Sequence, residues 1–371
     1  MTNKGYIIFV VVGRLPQSLV KSKVEPIIKS DIVDKVYIFS QEEGFKIDGV
    51  EYITLPKIFN KSNFIFKLVR LLYEPIQLFY FCLKYNPDLI NGIYVMPKGF
   101  NSLIISKIYG CKCIVSNIGG LPEILTYYNN FKKLRKSINL FIYRKADYVT
   151  TKGYKIIDYL VKEGVSKSNI DVFNGSIDTD RFCCSESQDR DIDILFVGSF
   201  IERKGPNRVV EMIEKLKFKF KNDNIKAMFL GKGELTNSIN DLITKNHLES
   251  NISVIGHVDN TEDYFKRTKV LVMPSISEGL STAMLEAMSS GCVPVVSDVG
   301  EMTKAAIDRE NSFVIKKYDD IQSFSEKINI LLIDDVKRNN MAQLGREIVV
   351  SEYSTGTQVN QFNLILRRIF N

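Results

Sequence analysis

Histidine is almost absent from the 371-residue chain: His247 and His257 are the only two, so nothing before residue 247 can supply an imidazole base. Tryptophan is missing altogether. The two histidines are not spaced as a metal site. The six cysteines (Cys82, Cys111, Cys113, Cys183, Cys184, Cys292) form neither a C-x-x-C pair nor a disulfide framework. The expectation is a reducing cytoplasm, with no structural metal and no cofactor. No apolar run approaches the roughly 18–20 residues that span a bilayer. The opening run, Tyr6 to Val12, is too short for a signal helix and has no cleavage signature, so it reads as a first buried strand.

What is present is the composition of a globular protein, 45% hydrophobic and 25% charged, with length for two ordinary domains. The net charge of +7 is uneven. Through residue 182 there are 26 Lys and Arg against 16 Asp and Glu, and the remainder has 24 against 27. A basic first half points to an anionic partner: a phosphate-bearing ligand, an anionic lipid surface or a nucleic acid. No nucleic-acid motif accompanies the charge, and nucleic acid is not the expected partner.

Along the chain, strand-like apolar runs alternate with helical patterns, and the strands are continuous rather than alternating. That pattern predicts parallel sheets covered on both faces. A polar stretch, Ser185-Glu-Ser-Gln-Asp-Arg190, separates two such series. The fold class read from this is α/β, two Rossmann-like doubly wound domains, 1–182 and 183–354. Facing strand ends would make a central cleft the default ligand site. Helices are expected, among others, over 204–220, 280–290, 300–307 and 355–370.

The most informative stretch runs from Met273 to Val296. A strand end turns through Pro274 to Gly279 into a helix, with Glu278 in the loop and Glu286 eight residues on. The first-turn amides, Gly279, Leu280, Ser281 and Thr282, lack intrahelical acceptors and can hold a phosphate. Carboxylates on either side of an anion site suit a ligand with hydroxyls at both ends and phosphates between, as in a nucleotide sugar. Other strand-end glycine loops occur at Gly13, Gly119-Gly120, Gly198 to Gly205, Gly231-Lys-Gly233 and Gly256. The loop Val197-Gly-Ser-Phe-Ile-Glu-Arg-Lys-Gly205 carries Arg203 and Lys204, cations suited to a diphosphate.

Taken in order, these motifs resemble the retaining GT-B glycosyltransferases of glycosyltransferase family 4, the group 1 glycosyltransferases. Glu278 and Glu286 match the family's Glu-x7-Glu signature. Pro274-Ser-Ile-Ser-Glu-Gly279, Leu285-Glu-Ala-Met288 and Gly291-Cys-Val-Pro-Val-Val296 are similar to its core. The resemblance implies a metal-independent transfer from a nucleotide-diphosphate sugar, a substrate rather than a cofactor, to a glycan or lipid-linked acceptor in surface polysaccharide, lipopolysaccharide, capsule or glycolipid assembly. It implies that Lys204 and Arg203 bind the diphosphate, Glu278 the transferred sugar and Glu286 the ribose. It places Gly13, Gly198, Ser199, Gly231, His257, Val258 and the amides of Gly279 to Thr282 around the donor. It also implies that the C-terminal helix, about 355–371, packs back on the first domain.

The departures lie in the first half. Asn91 and Ile93 stand where the family often has histidines, and Ile118 replaces another. Ser199 follows Gly198 where arginine is common. The acceptor side is therefore assigned to Asn91, Asn117, Gly119 and Gly120. A sugar-nucleotide-binding protein without activity, or another GT-B sugar-nucleotide enzyme such as an epimerase, remains an alternative. Asp178-Thr-Asp180 and Asp191-Ile-Asp193 have the form of a metal-binding Asp-x-Asp but sit at a turn and a strand start. Two segments combine aromatic and basic residues. One runs from Lys57 to Lys84, with Phe59, Lys61 and Phe64 near its start; the other pairs Lys132-Lys-Leu-Arg-Lys136 with Tyr127, Tyr128 and Phe131. They read either as core helices with lysines outward or as helices lying on the inner face of the cell membrane.

Overall fold

A strand that is apolar at every position needs cover on both faces, and the arrangement of the chain follows from that requirement. The computed structural model describes all residues except 1–4, 14–16, 42–46, 57–63, 126–131 and 185–189. Readings placed on Arg14, Lys57, Phe59, Lys61, Tyr127, Tyr128, Phe131 and the polar stretch from Ser185 lie outside the described residues.

The chain divides into two units, Met1–Ser176 with Thr355–Asn371, and Ile177–Ser354. The first holds strands β1 (Tyr6–Val11), β2 (Val33–Ser40), β3 (Val50–Thr54), β4 (Leu89–Ile93), β5 (Lys112–Asn117), β6 (Tyr148–Thr151) and β7 (Ile170–Val172). They form one parallel sheet in the order β3-β2-β1-β4-β5-β6-β7. Helices α1 (Gln17–Ile28), α2 (Phe64–Tyr85), α3 (Phe100–Tyr109), α4 (Leu121–Leu125), α5 (Lys132–Lys145) and α6 (Tyr154–Lys162) connect them. On β1, Ile8 and Val10 pack with Val24 of α1, whereas Phe9 and Val11 pack with Leu78 and Cys82 of α2. The last helix, α13 by chain order (Thr355–Phe370), adds Phe362, Ile365 and Leu366 to the α1 side, and Arg368 pairs with Asp171 at 2.5 Å.

The second unit repeats the plan with β8 (Ile192–Val197), β9 (Ala227–Leu230), β10 (Ile252–Gly256), β11 (Thr268–Met273), β12 (Val293–Ser297) and β13 (Phe313–Ile315). All pairs are parallel and the order is β10-β9-β8-β11-β12-β13. Its helices are α7 (Pro206–Phe218), α8 (Thr236–Lys245), α9 (Thr261–Arg267), α10 (Thr282–Ser289), α11 (Ile321–Ile333) and α12 (Asp335–Ile348). Ile194 and Phe196 of β8 pack with Val209 and Ile213 of α7, and Leu195 packs with Met284 and Leu285 of α10. In this strand order the direction of winding reverses between β8 and β11, and a crevice opens at the carboxyl ends of such a pair.

Three of the expected boundaries move for a local reason that the contacts show. Helix α10 begins at Thr282 rather than 280, because Ser281 takes the cap position in extended backbone and its Oγ accepts from the Met284 amide at 3.4 Å. The helix expected over 300–307 is only a 3₁₀ turn, Met302–Lys304. There the Asn311 side chain takes the Ile307 amide and the Ala305 carbonyl, the groups a longer helix would have used. The division between units falls at Ser176 and Ile177 rather than 182. The Ile177 amide donates to the Tyr353 carbonyl at 2.8 Å, and Phe182 lies buried against the second unit's core, where it meets Phe265.

Phe182→Ala should therefore weaken the second unit by about 3–5 kcal/mol, the usual cost of emptying a buried phenylalanine site. Urea unfolding followed by circular dichroism reads the change, and a loss under 1 kcal/mol would contradict this placement.

Candidate active site

Close backbone approach builds the platform of the second unit. The Gly198 amide donates to the Leu230 carbonyl at 3.0 Å, and the Gly231 amide to the Gly256 carbonyl at 2.7 Å. These bonds lace together the loops after β8, β9 and β10. A Cβ on Gly231, at φ +148°, would lie 1.9 Å from the Gly198 carbonyl oxygen, so only glycine allows the lacing.

On this platform the loops after β8 and β11 meet, at the reversal of winding. The Ile276 amide donates to the Arg203 carbonyl at 2.8 Å, and the Arg203 guanidinium donates to the Ser277 carbonyl at 2.6 Å. Lys204 Nζ donates to Glu278 Oε1 at 2.5 Å, and Ser275 Oγ donates to the same oxygen at 2.9 Å. Arg203 stands 3.8 Å from the other carboxylate oxygen. The Glu278 side chain is only 8% exposed and that of Lys204 17%, while Arg203 is open to solvent. One buried carboxylate thus faces two cations, which leaves the site with a positive excess that an anionic ligand can neutralise.

The loops are held from behind by residues whose roles the sequence did not display. Arg208 on α7 is buried and donates to the Pro274 carbonyl at 3.2 Å and to Glu202 Oε1 at 2.5 Å, with its guanidinium over the Tyr318 ring. Gly300, at φ +60°, lies against Glu278: a Cβ there would come within 2.0 Å of the Glu278 carbonyl oxygen. Arg208 could have been suspected from its spacing to Lys204, one turn into the helix. Gly300 carried no signal without a partner to compare.

Helix α10 points its first turn at the same corner. With Ser281 as cap, its leading amides are those of Thr282 and Ala283, and Gly279 and Leu280 lie in the preceding loop. Leu280 is buried in the core, whereas a side chain added at Gly279 would meet nothing within 4 Å. Glu286 is half-buried on the second turn, on the side of Arg181, whose guanidinium is held in its charged form first by Glu262 at 2.7 Å and also by Glu286. Ser199 is exposed after β8. His257 is exposed beyond the edge strand β10, 3.7 Å from Asp259, and Val258 packs partly into the core. Asp191 is paired with Arg267 at 2.5 Å and Asp193 with Lys269 at 2.8 Å.

In the first unit, Gly13 follows β1 with its nearest side-chain neighbour Lys98, which is buried against Glu74 at 2.6 Å. Of the other residues assigned to the acceptor, Gly119 is exposed and Gly120 half-buried, whereas the two asparagines are engaged inside the sheet. Asn91 is buried, and its Oδ1 accepts from Ser116 Oγ at 2.8 Å, joining β4 to β5. Asn117 is buried as well. Its Nδ2 donates to Tyr143 Oη, and its Oδ1 accepts from the Gly120 amide, closing the loop that contains Gly119 and Gly120.

The organising group there is Glu123 on α4. Its carboxylate accepts the amides of Val95 at 2.6 Å, Ile118 at 3.1 Å and Gly119 at 2.8 Å, and so ties the loop after β4 to the loop after β5. Burial pushes this carboxyl up to about 7, against the opposing pull of the amides. Tyr94 and Tyr143 are the titratable groups beside it.

Two doubly wound units of this kind define the GT-B class. Residues 184–348 match the family model described as glycosyl transferases group 1. An uncharacterized glycosyltransferase of Methanocaldococcus jannaschii is 27% identical over 270 residues, 70% of each chain. A Campylobacter jejuni N-acetylgalactosamine-N,N'-diacetylbacillosaminyl-diphospho-undecaprenol 4-alpha-N-acetylgalactosaminyltransferase is 22% identical over 241 residues, 63% of this chain and 65% of its own length. Among solved structures, Anabaena HepE in complex with UDP superposes with a TM-score of 0.77 over 98% of this chain and 99% of its own, at 14% identity.

Two measurements probe these contacts. Lys204→Met should cost about 3 kcal/mol, because it leaves a buried carboxylate without its contacting cation and with only Arg203 at 3.8 Å. Adding Glu278→Gln should recover part of that loss, with a coupling of at least about 1 kcal/mol, whereas additive losses would show the two groups to be independent. For Glu123, a folded-state value above the ordinary 4.5 means that the folded protein binds the extra proton. Its contribution is therefore fully present below about 4.5 and is lost as pH rises through about 7. Unfolding free energies from pH 5 to 8 should fall by up to about 3 kcal/mol more in the wild type than in Glu123→Gln. Parallel profiles would refute that assignment.

Proposed function

We propose that this protein transfers a sugar from a nucleotide-diphosphate sugar to a hydroxyl of a glycan or lipid-linked acceptor, with retention of anomeric configuration and without a metal ion. The observation that carries the reading is the Lys204–Glu278 pair at the reversal of winding, ahead of the α10 amino terminus. A nucleoside diphosphate would lie with its phosphates toward Lys204, Arg203 and the first amides of α10. Its ribose would reach Glu286 and its sugar Glu278. Lys204 has three donors and uses one on Glu278, so it can bind a phosphate oxygen while keeping that carboxylate in place.

In the reaction the bond from the anomeric carbon to the phosphate oxygen breaks, and its electron pair leaves with the nucleoside diphosphate. The two cations and the helix amides stabilise the charge that develops there. The acceptor oxygen bonds to the anomeric carbon on the same face, and its proton passes to the departing phosphate. No imidazole is required, in keeping with the absence of histidine before residue 247. The role in surface polysaccharide or glycolipid assembly draws support from the diphospho-undecaprenol named for the Campylobacter jejuni relative. A cytoplasmic setting suits six unpaired cysteines, among which burial pushes the Cys82, Cys113 and Cys292 thiols up to about 12.

Titration of a panel of nucleotide sugars, with nucleoside diphosphate release measured with and without acceptor extracts, tests the proposal. Glu278→Gln should lower turnover at least tenfold with little effect on nucleotide binding. Glu286→Ala should weaken nucleotide binding by about 1.5–3 kcal/mol, the worth of a charged hydrogen bond. Binding without release under any condition would favour the silent binding protein, and unchanged kinetics in both variants would overturn the site.

A further inference from the structure

We infer that the second unit holds a further ligand site, a cavity behind the far end of α10 that binds a phosphate monoester. The cavity has a volume of about 620 Å³, within the range of small-molecule sites. Its described lining includes Ala342 and Arg346 on α12, Val350 in the turn after that helix, Cys184 and Arg190 ahead of β8, and Gly291. Gly291, at φ +79°, forms the floor. A Cβ there would lie 2.6 Å from Arg190 Nη2 and 3.0 Å from Cys184 Sγ, so the bare backbone lets both side chains reach the cavity.

The two arginines supply the recognition. A guanidinium has five N–H donors, and these two use only part of theirs. Arg190 spends Nη1 on the Phe265 and Thr268 carbonyls and Nη2 on the Ser290 carbonyl at 2.7 Å, and its Nε has no hydrogen bond among the described residues. Arg346 engages Nη1 alone, with the Phe182 and Ser289 carbonyls and the Ser289 hydroxyl. Its Nε and Nη2 form the edge that meets a phosphate through two parallel bonds, and among the described residues that edge has no partner. Each arginine is half-buried against those carbonyls and lines the cavity, which leaves the unused edges on the cavity side.

Charge selects the occupant. Among the described residues no carboxylate pairs with either guanidinium, and Glu347 at the cavity rim is exposed and accepts from Gln343 Nε2 at 3.0 Å. Two positive charges in one cavity match a phosphate monoester, which carries about −1.5 to −2 at neutral pH, better than a carboxylate with one. Ala342 and Val350 give the body of the ester an apolar wall. The same guanidiniums hold the Ser289 and Ser290 carbonyls at the end of α10, so an ester on their outer edges would also fix that helix. The inference stands on the cavity and its two arginines and does not depend on the donor assignment.

Alkylation of Cys184 in the full chain by a maleimide, located by peptide mass spectrometry, reads the occupancy, because this exposed thiol lines the cavity. Phenyl phosphate should slow the alkylation at least fivefold, and benzoate, with a single charge, less than twofold. Val350→Glu, at an exposed position, sets a carboxylate among the arginines and should abolish the protection with the melting temperature unchanged. Arg346→Lys keeps the charge without the fork and should weaken binding severalfold. Amide exchange across α10, Thr282–Ser289, should slow at least twofold in phenyl phosphate. The inference is overturned if phenyl phosphate leaves Cys184 labelling unchanged, if benzoate protects equally well, or if the protection survives Val350→Glu. Unchanged exchange in α10 under full protection of Cys184 overturns the link to that helix.

Discussion

A carboxylate taken almost wholly out of water must find a compensating partner or a proton, and at Glu278 the need for a partner shapes much of the second unit. Lys204 can meet it only if the loop after β8 lies against the loop after β11. The contacts around the pair enforce that approach: the backbone bond from Ile276 to Arg203, the reach of Arg208 to the Pro274 carbonyl, and the absence of a side chain at Gly300. The two loops belong to adjacent strands because the strand order reverses there. The ion pair is therefore placed by topology first and by side chains second.

Helix α10 is fastened at its far end by the same kind of reasoning. Arg190 donates to the Ser290 carbonyl at 2.7 Å, and Arg346 donates to the Ser289 carbonyl. Both guanidiniums lie where the helix dipole is negative and the last carbonyls lack partners. Arg190 also holds the Phe265 and Thr268 carbonyls, and Arg346 holds that of Phe182, so the helix is tied to α9, to β11 and to the segment that opens the unit. With one end anchored by two cations, the other can present its amides at a fixed point, a condition for binding phosphate in one geometry.

The strands were legible because covered parallel strands carry near-continuous apolar runs, and Tyr6–Val11 could be read as a buried strand on sight. The loop carboxylate Glu278 and the cations Arg203 and Lys204 were legible for the opposite reason, being charged residues at the ends of such runs. Contacts between distant segments were not. Nothing local marks Asn311 as the residue that stops a helix at Lys304, or Ser281 as a better cap than the positions before it. Asn91 and Asn117 look like polar groups offered at strand ends. Their partners, Ser116 and Tyr143, are 25 and 26 residues further on, and only the fold shows that both amides are already engaged.

Glu123 shows the same limit and changes how the first unit is understood. By sequence it is one acidic residue in Leu121-Pro-Glu-Ile-Leu125, with no partner in view. In the fold it gathers three amides from two loops at the carboxyl edge of the sheet. Three such bonds favour a charged carboxylate, yet burial outweighs them and brings the group close to neutrality at physiological pH. A protonated carboxyl has one oxygen fewer to offer, so it cannot keep both loops as tightly. Charge at Glu123 orders the loops after β4 and β5, and burial opposes that charge. The edge of the first unit is therefore built from a carboxylate near its balance point, in a region that contains no histidine at all.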